Sequence, residues 1–436
     1  MMEEDLDSWR RTHYTSAITP ELEDKEVILM GWVASIRDHG NIIFVMLADK
    51  DDEIQLTIKK DSPLFNIFKE IKEHSCIGVK GVVKSRKNAP RGVEIIPIEL
   101  KIFSLAKKIP PFSVYSKTVP NTDLRLDLRA VDLRRRVLRS VFKIRYNILK
   151  AVREYLDKNN FIEVNTPKMI ASATEGGAAL FPIFYFNKEA FLAQSPQLYK
   201  EQLTMAFDNV FEIGPIFRAE PSRTTRHLAE ATSIDIEKSF ADYNDVMNIL
   251  EELIVYVIDY INKHNSKELE ELDVKLVKPE LPFPRYTYDQ LINMLKDNGA
   301  KIEWGDDLNT ENLKLLGKLI NGYYFITDWP TSAKPFYAKP KRKDPKISET
   351  FDLMYNELEL SSGSTRINRK DELVERMKMQ GLNPDAFEYH LKVFDYGMPP
   401  HAGFGLGLER FLMIIANLDN IRDATFYPRD IERLSP

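Results

Sequence analysis

One stretch, Val210 to Phe240 (VFEIGPIFRAEPSRTTRHLAEATSIDIEKSF), restricts the fold more than any other part of the chain. It opens with apolar residues of strand type, Val210, Phe211, Ile213, Ile216 and Phe217. Arg218 and Glu220 follow two apart, which puts both on one strand face. A polar loop, Pro221 to Thr225, has no apolar anchor. After Arg226 and His227, a second run sets Ser233, Asp235 and Glu237 at the same period of two. The pattern predicts an antiparallel hairpin with cations at both ends of its loop and carboxylates on the returning strand. Such a surface suits a polyanion lying beside an amine, although alternating charges also describe an ordinary solvated sheet face.

At 436 residues the chain exceeds one ordinary core, so two domains are expected. Hydrophobic residues make up 43% and charged residues 29%, the balance of a soluble globular protein. No apolar run is long enough to span a bilayer, and MMEEDLDSW has no apolar leader core; no membrane association and a cytoplasmic location are expected. The single cysteine, Cys76, excludes a disulfide framework and a Cys-rich zinc site. A net charge of -5 excludes a surface that grips nucleic acid everywhere, but it allows local basic patches. Candidates are 84–87 with Arg91, the run from Arg134 through Arg145, and Lys339 to Lys346.

From Lys25 to Ala106 the chain reads as five short strands (27–36, 42–47, 54–58, 77–83 and 93–103) with a helical interval, 63–71, after the third. That is the order of an OB-fold, whose sheet face and loops hold single-stranded nucleic acid; by pattern alone another small barrel stays open. The boundaries expected are a barrel domain over 1–106, a Pro- and Lys-rich linker over 107–132, and a larger domain over 133–436. Val141, Ile144, Ile148, Leu149, Val152, Tyr155 and Leu156 make one apolar stripe of a helix from Val137 to about Asn159, followed by a strand closed at Pro167. Another helix is expected from Asp242 to His264, and 267–343 shows no chemistry. FDLMYNELELSSG reads as one strand carrying Asp352 and Glu359. Gly403, Gly405 and Gly407 allow close backbone approach before an amphipathic helix that has Arg410 near its N-terminus, where phosphate is favoured.

FRAE with RHLAE resembles motif 2 of the class II aminoacyl-tRNA synthetases. The helix, strand and proline before it are similar to motif 1, and GLGLER is similar to motif 3. The resemblance runs from about Tyr14 to Pro436 and is closest to the archaeal-type aspartyl-tRNA synthetases of class IIb. It implies an α+β protein: an N-terminal OB-fold β-barrel that binds the anticodon, and a C-terminal antiparallel sheet flanked by helices. It also implies a homodimer through motif 1 and a two-step reaction, in which ATP activates L-aspartate and the aspartyl group passes to tRNA. Carried over residue by residue, Arg218 and Arg410 would be catalytic, with Arg218 on the α-phosphate and the substrate carboxylate. Glu175, Gln197, Lys200, Asp235, Ser362 and Arg366 would enclose aspartate with Arg218. Glu220, Arg226, His227, Leu228, Glu359, Gly407, Leu408, Glu409 and Arg410 would bind ATP. Glu359 and Ser362, with Asp352 in reach, would hold Mg2+ through hard oxygen ligands.

Phe44 falls where the family stacks an anticodon base, and Gln55 where it reads one; a core aromatic is the competing account of Phe44. Two positions associated in the family with choice between tRNAs hold Ala34 and Pro90, and Pro90 matches the relaxed type. Charging of both tRNA(Asp) and tRNA(Asn) is therefore expected. The alternatives are an enzyme restricted to tRNA(Asp), an asparaginyl enzyme, an ammonia-dependent asparagine synthetase without a barrel, and a non-catalytic tRNA-binding relative.

Overall fold

The computed structural model describes residues 2–115, 118–171, 180–222 and 224–436. The chain separates into two units, Met1–Arg135 and Arg136–Pro436. In the first, β1 (Glu26–Asp38), β2 (Ile42–Ala48), β3 (Glu53–Lys59), β4 (Cys76–Ser85) and β5 (Val93–Ser104) close a barrel in the order β1-β2-β3-β5-β4, with helix α1 (Phe65–Glu70) between β3 and β4. Closure follows from the period of two. Val27, Leu29, Ile43, Val45, Leu47, Ile54, Leu56 and Ile58 alternate inward and are at most 2% exposed. Burying such a side chain contributes about 1.5–3 kcal/mol.

The stretch expected to be a linker ends in two short helices, α2 (Thr122–Asp127) and α3 (Arg129–Asp132). Asp132 is wholly buried and pairs with Arg125, Arg129 and Arg135, at 3.1, 2.8 and 3.8 Å. The neighbouring Arg134 lies 4.4 Å over the Trp32 ring. At least these two members of the basic run therefore make contacts within their own unit.

In the second unit, β6 (Ile162–Glu163), β10 (Asn209–Phe217), β11 (Glu230–Ser239), β12 (Arg285–Thr287), β13 (Tyr323–Thr327), β14 (Thr350–Tyr355), β15 (Leu358–Thr365) and β16 (His401–Gly407) form one sheet, ordered β12-β13-β14-β15-β16-β11-β10-β6. Its central pairs are antiparallel, but both edge pairs, β12 with β13 and β10 with β6, run parallel, so the sheet is mixed. A smaller sheet holds β7 (Met169–Ile170), β8 (Pro182–Tyr185) and β9 (Lys188–Leu192). Around them stand α4 (Arg136–Lys158), α5 (Gln197–Phe207), α6 (Tyr243–His264), α7 (Ser266–Glu271), α8 (Tyr288–Asp297), α9 (Thr310–Leu319), α10 (Lys370–Met379), α11 (Glu388–Leu391) and α12 (Leu408–Ala416). The predicted stripe of α4 and the buried face of α6 share a core with Phe404, Leu406, Leu408 and Phe411. A capping box between Asp242 and Asp245 starts α6.

Candidate active site

The hairpin expected over Val210 to Phe240 is β10 paired with β11, in register from Asn209↔Lys238 to Phe217↔Glu230. β11 then pairs with β16, which places Gly403, Gly405 and Gly407 opposite Glu237, Asp235 and Ser233. On its other side, β16 sets Gly403 against Ser364 and Gly405 against Ser362. The alternate glycines thus form the small middle row of a floor whose flanking strands carry Ser233, Asp235, Glu237, Ser362 and Ser364. At Gly403 the requirement is strict, because a Cβ there would come within 2.2 Å of Glu237 Oε2.

FDLMYNELELSSG folds differently from the single strand expected. It is a hairpin, β14 then β15, turning at Asn356 with a left-handed φ of 50°, which Asn tolerates. The turn folds Asp352 back onto Ser362.

Above this floor lies a cleft of about 300 Å³, lined among others by Gln197, Arg218, Arg226, His227, Asp235, Glu359, Ser362, Arg366 and Arg410. Leu228, Gly407 and Glu409 also reach it. At one end sit cations with little to neutralise them. The side chain of Arg218, one residue past the end of β10, makes no ion pair with a described residue. Arg410 Nη1 donates to the Glu359 backbone oxygen at 2.9 Å, and the charges of Arg218 and Arg226 press on it. Arg226 is anchored by Glu357, 2.7 Å away. Burial first, then repulsion from Arg410 and Arg218, holds the pKa of His227 below its ordinary value, which favours the neutral ring.

Facing these cations, surrounding protein and then the charge of Asp352 push the Glu359 carboxyl above its usual range, against the pull of Arg410, Lys334 and Arg218. Asp352 Oδ2 accepts from Lys334 at 2.7 Å, but its buried Oδ1 has no partner. An orphaned carboxylate oxygen near a second carboxylate and a hydroxyl is a donor set that fits a hard divalent cation. Among the described residues no group of three or more His, Cys, Asp or Glu could hold a metal. Magnesium usually takes only one or two carboxylates and completes its shell with water and phosphate.

The other end is paired and dry. Arg366, 4% exposed, gives Nε and Nη2 to the two oxygens of Glu237 at 2.9 and 3.2 Å, and Nη1 to Ser364 Oγ at 2.7 Å. Burial disfavours its charge, but Glu237 overrides that and raises its pKa further. Lys200, 2% exposed on α5, is not on the cleft wall. Its Nζ lies 3.0 Å from Asp235 Oδ1, 3.4 Å from Glu237 Oε2, and 3.2 Å from the carbonyl oxygens of Ile236 and Phe404. Lys200 therefore acts on the cleft through Asp235 rather than by opening onto it.

Other expectations shift as well. β10 stops at Phe217, so the alternation does not extend to Glu220, which is exposed and off the cleft wall. Leu408 is wholly buried in the core. The Glu409 carboxylate accepts from the Thr232 N–H at 2.9 Å and pairs with Arg145 at 3.3 Å, which makes it a brace between elements. Glu175 lies outside the described residues. Sequence reasoning missed Lys334, Glu357, Glu237 as the shared partner of Arg366 and Lys200, and Glu201, whose Oε1 accepts from Gln197 Nε2 at 2.6 Å. Only the last had a local signal, the i,i+4 spacing on a helix.

In the barrel, Phe44 is half-buried, lies outside the hydrophobic core and meets the His39 ring edge-on at 5.7 Å. It stands on β2 opposite Thr57, two residue pairs along from Met46↔Gln55. Gln55 Nε2 donates to Glu94 Oε2 at 3.1 Å. Ala34 sits at a break in the β1–β2 register and is 6% exposed, so its methyl offers almost no surface to a ligand. Pro90 is exposed and opens a 3-10 turn. No helix among the described residues is long and apolar enough to cross a membrane.

Comparison with known proteins extends this geometry. Residues 27–104 match the OB-fold nucleic acid binding domain. The chain is 49% identical to the aspartate–tRNA(Asp/Asn) ligase of Methanothermobacter thermautotrophicus over 99% of this chain and 100% of the relative. It is equally identical to that of Methanocaldococcus jannaschii over 98% and 99%. The asparaginyl-tRNA synthetase of Pyrococcus horikoshii, solved with asparaginyl-adenylate, superposes with a TM-score of 0.93 at 33% identity, over 98% of this chain and 100% of that one. Residues 121–431 match the tRNA synthetases of class II (D, K and N), and with the three-strand glycine floor and its cleft in place, the chain belongs to that family.

Proposed function

We propose that this protein activates L-aspartate with ATP and transfers the aspartyl group to both tRNA(Asp) and tRNA(Asn). The observation that carries the reading is the division of one cleft into an under-neutralised cation cluster and a dry end built on Arg366 and Lys200. In the first step an oxygen of the aspartate α-carboxylate attacks the α-phosphorus of ATP. The bond to the β-phosphate oxygen breaks, and pyrophosphate leaves. In the second, a hydroxyl of the terminal tRNA ribose attacks the acyl carbon, and AMP leaves with the electron pair. No protein nucleophile is needed, so the residues position and neutralise. Arg218 takes the α-phosphate, while Arg410, Arg226 and neutral His227 take the outer phosphates. Magnesium held by Glu359 and Ser362, with Asp352 beside them, would neutralise phosphate charge.

Aspartate is favoured over asparagine by Lys200, whose charge lies behind the wall on Asp235 and adds to that of Arg366 on it, since a carboxamide needs neither. The barrel speaks against a barrel-less asparagine synthetase. Aspartate-dependent ATP–pyrophosphate exchange tests the first step; efficient exchange with asparagine instead would give the wrong substrate. For tRNA choice the reading rests on Pro90, exposed and without an N–H or a side-chain cation. Charging transcripts of the two tRNAs decides it: a preference for tRNA(Asp) of about a hundredfold, roughly 2.7 kcal/mol, would contradict it. Homodimerisation is supported by Tyr146, Ile162 and Met169, 68%, 47% and 56% exposed around motif 1. Sedimentation showing only monomers at micromolar concentration would exclude it.

A further inference from the structure

Beneath the dry end of the cleft lies a cluster that no step above uses. Glu201 on α5, His390 on α11 and His401 on β16 are each 0% exposed. Glu201 Oε2 stands 3.3 Å from His390 Nε2 and 3.6 Å from His401 Nε2, and none of the three atoms has an aligned hydrogen-bond partner. A buried carboxylate with so little satisfaction is costly unless a charge faces it.

The outer nitrogens indicate where the protons lie. His401 Nδ1 is 2.8 Å from the Pro399 carbonyl, which can only accept, so that nitrogen carries hydrogen. A neutral His401 would then aim a lone pair of Nε2 at Glu201, so the ring is imidazolium. His390 turns Nε2 toward the same carboxylate oxygen, with its Nδ1 3.2 Å from the Gln202 side-chain amide. The other charges around His401 and Glu201 are Glu237, itself held by Arg366, and Lys200. Burial opposes the charge on both partners, but His390 and His401 draw the Glu201 pKa down, and Glu201 draws that of His401 up. Glu201 therefore stays a carboxylate, an acceptor only.

This constrains Gln197, one helical turn earlier. Its amide could lie either way round, but Glu201 Oε1 accepts nothing except its Nε2, at 2.6 Å. With the nitrogen committed, the side chain offers Oε1 to the cleft that it lines. We propose that Glu201 is a positioning residue that fixes the polarity of the Gln197 amide, so that the cleft presents a carbonyl oxygen that selects a substrate ammonium group. The inference rests on the amino-acid activation proposed above.

The test compares aspartate with succinate, which keeps both carboxylates and lacks the amine. Exchange kinetics give the aspartate KM and the succinate inhibition constant. Glu201→Gln removes the acceptor-only partner and lets the amide pair flip. The expected result is at least a tenfold loss of preference for aspartate over succinate, with the KM for ATP within twofold of normal. Exchanging the two residues, Gln197→Glu with Glu201→Gln, restores an acceptor in the cleft and recovers the preference. If Glu201→Gln retains the preference, or if both KM values rise as thermal stability falls without rescue by the exchange, the proposal is overturned. If Glu201→Gln does not fold, Gln197→Met decides: the cleft-lining change must abolish the preference, and an intact preference overturns the proposal. Absence of aspartate activation in the unaltered protein would instead sink the underlying activity.

Discussion

The two ends of the cleft solve opposite electrostatic problems. At the dry end, Lys200, Arg366, Asp235 and Glu237 neutralise one another before any ligand arrives, with Lys200, Arg366 and Glu237 at most 4% exposed. At the other, Arg218, Arg226 and Arg410 crowd together with one ion-paired carboxylate among them, the partly exposed Glu357 on Arg226. Burial accounts for the contrast. Uncompensated charge in a low dielectric costs several kcal/mol, so a buried recognition site must be internally paired, whereas an open site can leave cations for its ligand to neutralise. The dry end is organised for one small amino acid, and the open end for a polyanion that brings its own charge.

The comparison breaks first if Lys200 is dispensable. Lys200→Leu leaves Asp235 without its cation and Glu237 with Arg366 alone, and losing one partner of a buried pair costs about 3–5 kcal/mol. Aspartate activation should be lost, with a large drop in the denaturant midpoint. At the open end the expected outcome separates. Arg218→Ala and Arg410→Ala should each lower exchange about 10²–10³-fold, the scale of one transition-state donor, with the unfolding midpoint nearly unchanged. A variant of either with near-normal exchange would disprove the phosphate assignment.

Proton linkage sharpens the contrast at intermediate size. The folded pKa of His401 is raised above the 6.5 of the free side chain, so its contribution to stability is complete below about that pH and fades as pH rises through the folded value. Thermal unfolding between pH 6 and 9 should show this loss in the unaltered protein and not in His401→Asn. Smallest is Glu357→Gln: its pair with Arg226 is about one-third exposed on each side, so solvent screening limits it to about 0.2–1 kcal/mol. The KM for ATP should change by no more than about fivefold, with the KM for aspartate unmoved.

Much of this was legible in the chain. The barrel strands and the stripe of α4 follow from local periodicity, because side-chain direction alternates or rotates whatever the rest of the molecule does. Val210 to Phe240 likewise predicts its own hairpin, since its alternation and its loop are both local. The motif resemblance brought Gln197, Arg218, Asp235, Ser362, Arg366 and Arg410 to attention, and all line one cleft. What only the tertiary structure decided is who neutralises whom. Glu237 serves both Arg366 and Lys200, Glu357 holds Arg226, and Lys334, from a segment that showed no chemistry, holds Asp352. Those partners are 18 to 131 residues apart and meet through strand register and helix packing, which no local window encodes. A charged residue in a sequence states what it can bind, and only the dielectric and the neighbours that the fold supplies determine whether it is already bound.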